Sequence, residues 1–329
     1  MLRMKNTKPK LTFNKELDPA LWQKKLKAKI KQLTGYYYKN QHAKVEYITI
    51  WKQTGSHGTI EKIVYRSEPG VDVPAYVCIP KNARPPYTFF ICLQGHSTGM
   101  HNSIAVDMAD ETKSIHVEGD RDFAIGCMKL GIAALCIEQR SMGERKETLM
   151  KQKSDHPCHD AVMHSLMLGN TICAERIFDV ARGIDYLQQR GDVKMNHIGI
   201  MGNSGGGIIA IYASAVLDRI QYSMPSCAFC TYADSIMQIY HCSDNYIPGI
   251  LNWAEMADVM GLFAPKPVVI VAGKKDPIFP YHGVQKAFSH LKTIYAAFNA
   301  SNNCRLVTGD EGHRFYAKEA WETMIKLIK

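Results

Sequence analysis

The sequence predicts an α/β protein: a mostly parallel, twisted sheet with helices on both faces and a helical extension at the N-terminus. Three observations predict it. Short apolar runs alternate with amphipathic segments of helical period, which is the pattern of strands buried on both faces. One such junction carries Gly202-Asn203-Ser204-Gly205-Gly206, a small-residue turn between an apolar strand and a helix. The composition, 46% hydrophobic and 22% charged over 329 residues, is that of a globular chain and excludes disordered or collagen-like classes.

The elements follow in order. Asp18 caps a helix, Pro19 suits its first position, Leu21, Trp22, Leu26, Ile30 and Leu33 share one face, and Gly35 stops it. Thr59–Tyr65 and Ala75–Ile79 are β-rich, and Tyr87–Leu93 is a buried strand. Asp120–Lys129 is a helix and Ile132–Ile137 a strand. Ala174–Gln189 is a helix with Ile177, Val180, Ala181, Ile184 and Leu187 on one face. His197–Met201 is a strand and Gly205–Leu217 a helix. Ile220–Met224 and Val268–Ala272 are strands, Val284–Ala297 a helix, Arg305–Thr308 the last strand and Lys318–Ile328 the closing helix. Two connections exceed ordinary strand–helix loops, Ser141–Asn170 and Ala228–Phe263. The expected organisation is a basic extension over residues 1–40 and one catalytic domain over 41–329, with insertions at about 141–170 and 228–263.

The formal net charge is +9, from 40 basic and 31 acidic residues. Residues 1–32 hold ten of the basic groups and two acids, so the rest of the chain is near neutral. A body without a basic stripe is not a nucleic-acid binder. The lysine-rich first helix is expected to pack on the main domain rather than lie on a membrane. No apolar run reaches the roughly 20 residues of a bilayer span, and the first residues lack the apolar core of a secretory signal; a cytoplasmic protein is expected. The ten cysteines are scattered, and Cys227 and Cys230 lack the second ligand pair of a structural zinc site. Reduced structural thiols, no metal and no cofactor are expected.

The chemistry centres on Ser204. G-x-S-x-G between strand and helix forces a strained turn that lifts the hydroxyl above the sheet. The helix that follows presents backbone N–H groups to developing negative charge. A phosphate loop is the competing reading, but no Lys-Ser/Thr follows the glycines and the dinucleotide fingerprint fits poorly. A serine nucleophile needs a base, and the base an orienting carboxylate, in the chain order Ser, acid, His. Asp276 follows the strand at Val268–Ala272, and His313 follows the strand at Arg305–Thr308. Asp310, Glu311 and especially Glu138 are rival acids, and His282 is a rival base. The oxyanion donors expected are the N–H groups of Gly205 and His96, the latter in Leu93-Gln94-Gly95-His96-Ser97-Thr98-Gly99. The His96 and His101 rings face either the pocket or solvent.

These stretches together resemble the α/β-hydrolase superfamily. Over roughly residues 60–329 the chain is similar to acetyl xylan esterase and cephalosporin-C deacetylase-like carbohydrate esterases and to dienelactone-hydrolase-like relatives. The residues that carry the likeness are Gly95-His96, Glu138-Gln139-Arg140-Ser141-Met142-Gly143-Glu144, the Ser204 turn, Lys274-Lys275-Asp276-Pro277-Ile278-Phe279-Pro280 and Gly312-His313-Arg314-Phe315. The resemblance implies a serine esterase or deacetylase acting on small acyl esters, with acetylated sugars among the candidates, through an acyl-enzyme. A peptidase or amidase of the same fold, or a silent binding protein, is the alternative. Gln94, Tyr246 and Trp253 are assigned to the substrate pocket, Ala228–Phe263 supplying its wall or else a subunit interface. The partner expected is a small ester, and a homo-oligomer is compatible with the sequence.

Overall fold

The computed structural model describes residues 7–37, 44–96, 98–147 and 158–328. Arg3 and Lys5 of the basic run, Ser97 of the oxyanion loop and residues 148–157 of the first insertion lie outside the described residues. The strands are β1 Tyr47–Thr54, β2 Gly58–Glu68, β3 Val71–Pro80, β4 Tyr87–Leu93, β5 Ala133–Ile137, β6 Val193–Asn203, β7 Tyr222–Ser226, β8 Val268–Gly273 and β9 Cys304–Gly309. The helices are α1 Pro19–Thr34, α2 Phe123–Lys129, α3 His159–Met167, α4 Ile172–Arg190, α5 Gly205–Val216, α6 Met256–Gly261, α7 Tyr281–Ala297 and α8 Ala317–Ile325.

Among the described residues, nine strands join one sheet in the order β1-β2-β3-β5-β4-β6-β7-β8-β9. β1, β2, β3 and β5 pair antiparallel; β5, β4, β6, β7, β8 and β9 pair parallel. The expected mostly parallel sheet is therefore present, with an antiparallel flank. β5, β7 and β8 are buried at every position, which is why β5 and β8 read as unbroken apolar runs. β1 was not read from the sequence; it is an edge strand, exposed at nearly every position. β7 starts and ends two residues later than expected, because Pro225 and Ser226 pair with Gly202 and Asn203 of β6. The chain leaves β4 for β5 on one side and returns to β6 on the other. That reversal opens a crevice at the C-terminal ends of β4 and β6, where such sheets bind ligands.

Helix α1 starts where Asp18 accepts from Leu21 N at 2.6 Å and ends where Gly35 turns left-handed at φ 78°. Trp22, Leu26 and Ile30 are buried, but Leu21 is half exposed, so the apolar stripe is narrower than expected. Trp22 packs edge-on against Phe13 at 5.0 Å and donates to Leu11 O at 2.8 Å. Lys27 pairs with Asp218 at 2.5 Å, and Lys29 covers the Trp253 ring at 4.0 Å. The apolar face of α1 is thus spent within the molecule, as expected. Trp22→Ala should cost about 3 kcal/mol by urea denaturation, the scale of an emptied aromatic core site. A loss below about 1 kcal/mol would show that α1 contributes no core packing. Among the described residues no helix is long and apolar enough to cross a membrane.

Candidate active site

β6 delivers the chain into the Ser204 turn, and α5 begins at the next residue. Ser204 sits at φ 57°, ψ −124°, a conformation that costs a non-glycine residue on the order of 1–3 kcal/mol and persists only when its surroundings impose it. Here Ser204 N donates to Ser226 O at 2.9 Å. Close packing does the rest: a Cβ on Gly206 would overlap Leu93 O. A Cβ on Gly95 would lie 3.0 Å from Ser204 Cβ, so the loop after β4 lies directly against the serine.

Asp276 and His313 come from the loops after β8 and β9. Gly273 and Gly309, the last residues of those strands, are register partners. His313 Nδ1 lies 2.8 Å from Asp276 Oδ2. Asp276 Oδ1 accepts from Ile278 N at 2.8 Å and Phe279 N at 3.2 Å, so both carboxylate oxygens are used. Burial disfavours the Asp276 charge, but the His313 contact and the two N–H bonds outweigh it and hold the carboxyl below its ordinary value. Phe279 stacks on the His313 ring at 6.1 Å. The His313 loop is tied to the serine turn by Ser226, whose O accepts from Ser204 N and whose Oγ donates to Arg314 O at 3.2 Å.

The rivals lie elsewhere. Glu138 is buried under the loop after β4, where it accepts from Met100 N at 3.1 Å and Glu144 N at 3.2 Å. Burial raises its carboxyl to about 7. Asp310 pairs with Lys274 and Glu311 with Arg314. His282 is mostly exposed beside Asp234.

The expected oxyanion residues Gly205 and His96 meet, and they do so through the His96 ring. A Cβ on Gly205 would lie 2.7 Å from His96 Cε1 and 2.9 Å from Nδ1. His96 Nε2 is 2.9 Å from Asp244 Oδ2, which also accepts from Arg176 Nη1 at 2.5 Å. His101, itself buried, bonds to the part-exposed carboxylates of Glu111 and Glu144 and lines a second cavity described below.

The substrate-pocket expectations divide. Tyr246 lines a cavity of about 480 Å³ with Val162, Met163, Leu166, His241 and Ile247. His241, which lines it, packs edge-on at 5.3 Å against Phe279, the ring stacked on His313. Trp253 is corrected: its ring lies under Lys10 and Lys29, and its carbonyl accepts from Leu11 N, so it anchors the N-terminal segment. Gln94 is 2% exposed; its amide N–H groups donate to Ser103 Oγ and Arg121 O, which shapes the loop, and its buried Oε1 has no hydrogen-bond partner among the described residues. A second cavity of about 420 Å³ is lined by Thr98, Gly99, Asn102, Met142, Gly143 and Lys146. It lies beside Gly205, whose added Cβ would be 3.3 Å from the Met142 methyl.

Metal-type donors also cluster. His96, Cys158, Cys242 and Asp244 bring ligand atoms within 4.8 Å of one another. The Arg176 guanidinium already donates to Asp244 and to Cys158 Sγ at 3.3 Å, so the cluster carries its own cation. Lys62 does the same beside Glu111 and Glu144. Cys227 and Cys230 donate to different carbonyls, Arg314 O and Pro280 O. Asp244, Arg176 and Cys158 were not singled out in the sequence.

Comparison with known proteins agrees with the architecture. A family model described as the Abhydrolase family matches residues 1–293. YtaP of Bacillus subtilis (strain 168), which is named as a hydrolase, is 26% identical over 249 residues, 73% of this chain and 77% of its own. A Bacteroides fragilis NCTC 9343 structure titled as an acetyl xylan esterase superposes with TM-score 0.77 at 14% identity, over 94% of this chain and 80% of that one. A glucuronoyl esterase from Solibacter usitatus superposes with TM-score 0.67 at 14% identity, over 98% and 97%.

Proposed function

Since the chain belongs to the Abhydrolase family, we propose that it is a serine esterase cleaving small carboxylic esters through an acyl-enzyme. The observation that carries this reading is the His313–Asp276 pair at 2.8 Å, tied through Ser226 to a serine held in a strained elbow. Ser204 Oγ attacks the ester carbonyl, and His313 Nε2 takes its proton. Asp276 holds Nδ1–H toward itself and stabilises the imidazolium. The Gly205 and His96 N–H groups receive the oxyanion. The alcohol leaves with the proton from His313, and water then releases the acid by the same steps. Sugar esters, including acetylated xylo-oligosaccharides, belong in the substrate panel because two structures of similar fold are an acetyl xylan esterase and a glucuronoyl esterase. A fluorophosphonate probe should label wild-type protein at Ser204. Folded protein that stays unlabelled would favour a binding role.

The cavity with Tyr246, Val162, Leu166 and Ile247 is the more apolar of the two, and we assign it to the acyl chain. Tyr246→Ala enlarges that wall. The expected result is a shift in kcat/KM of about tenfold from acetate toward butyrate or longer esters, the scale of one methylene's worth of pocket. If chain preference holds while alcohol preference changes, the two cavities exchange roles.

A further inference from the structure

We propose that the His96 imidazole, oriented by the buried Asp244–Arg176 pair, donates a side-chain hydrogen bond to the oxyanion formed at Ser204. This rests on the Ser204 reading and adds a third donor to the two backbone N–H groups. The geometry is specific. The Cε1–Nδ1 edge of the ring lies against Gly205, beside the proposed backbone donor, while Nε2 is occupied by Asp244 at 2.9 Å. With Nε2 turned to Asp244, Nδ1 is the ring nitrogen left at the reaction centre. A ring protonated on both nitrogens then offers Nδ1–H there.

The support behind the ring is rigid. The Asp244 and Arg176 side chains are each 1% exposed. Arg176 also donates to Arg140 O at 3.1 and 2.8 Å, so the guanidinium is fixed from two sides. A buried ion pair is a weak source of stability, because desolvating both charges offsets their attraction. One placed against an active-site imidazole instead fixes that ring and its charge in advance of the reaction, which is how an oxyanion donor is most effective. The groups facing His96 are Asp244, Arg176, Cys158, Cys242 and His241. Burial disfavours the imidazolium, but the Asp244 contact prevails and raises His96 to about 9. The two imidazoles then divide the work: His313 takes the serine proton, and His96 carries the charge that faces the oxyanion.

The sign of the pH effect follows. The imidazolium is lost as pH rises through about 9, so kcat/KM should fall above that pH. The stability it contributes is full below the ordinary imidazole value and is lost over the same rise. Asp244→Asn should move this alkaline limb down toward the ordinary imidazole value, with Ser204 still labelled by the probe. His96→Ala should lower kcat/KM by about 10²-fold, mainly in kcat, as loss of one oxyanion donor does. His96→Gln, which keeps a side-chain N–H, should recover part of the rate and lose the limb. Nitrogen NMR of the histidines in wild-type protein should find one imidazole titrating near 9. The proposal is overturned if active wild type has no such imidazole, if His96→Ala keeps its rate within threefold, or if Asp244→Asn leaves the limb in place. Wild type that neither turns over esters nor reacts with the probe overturns the Ser204 reading itself.

Discussion

Ser204→Ala is expected to lower kcat on aryl acetates by at least about 10⁴-fold while leaving the fold intact. The hydroxyl is the only atom removed, and no structural hydrogen bond of the turn runs through it. The turn is held by Ser204 N on Ser226 O and by Ile208 N on Ser204 O at 2.9 Å, both backbone contacts that alanine keeps. Alanine also tolerates the positive φ no worse than serine, so the melting temperature should stay within a few degrees. What disappears is the covalent route. Residual rate then comes from the oxyanion donors and binding alone, which leave a background above water. A Ser204→Ala protein that folds and keeps more than a hundredth of the rate would place the nucleophile elsewhere.

The architecture was largely legible because parallel strands buried on both faces write themselves as apolar runs. β4 matches its expected span, and β5, β6, β8 and β9 differ only at their ends. The edge strand β1 escaped because an exposed strand has no core face to impose a pattern. The elbow, the acid loop and the His loop were legible because each follows a readable strand, and a shared rim follows from parallel order alone. The Arg176–Asp244–His96 system was not. On α4 the apolar stripe was visible, but Arg176 and Asp179 are not part of it. Both are buried, because other loops cover that side: Arg140 and Arg145 pair with Asp179, and Asp244 of the second insertion pairs with Arg176. Helical periodicity reports which face is greasy, not which charges a distant loop will cover. Trp253 failed for a related reason. A large aromatic in a rim insertion reads as pocket wall, yet the basic N-terminal segment, far away in sequence, claims it.

Asp276→Asn is expected to lose about three to four orders of magnitude in kcat near neutral pH, although it changes one atom type. The Asn oxygen can take over the acceptor role toward Ile278 N and Phe279 N, so the loop after β8 stays in place. Its NH₂ group then faces His313 Nδ1, where the carboxylate oxygen stood 2.8 Å away. A donor there requires Nδ1 to be the unprotonated nitrogen, which leaves the proton on Nε2. That tautomer has no lone pair to accept the Ser204 proton, and the imidazolium also loses its counter-charge. The same substitution reaches stability. The native Asp276 carboxyl is held below its ordinary value, so its stabilisation is present above the ordinary aspartate range and is lost as pH falls through the native value. Asp276→Asn should flatten that acid-side dependence in denaturant titrations. Glu138→Gln is the control, since Glu138 faces the Met100 and Glu144 backbone and contacts His101 rather than His313. A Glu138→Gln enzyme that loses the rate, beside an active Asp276→Asn, would move the acid to the strand before the first insertion and undo the triad drawn here.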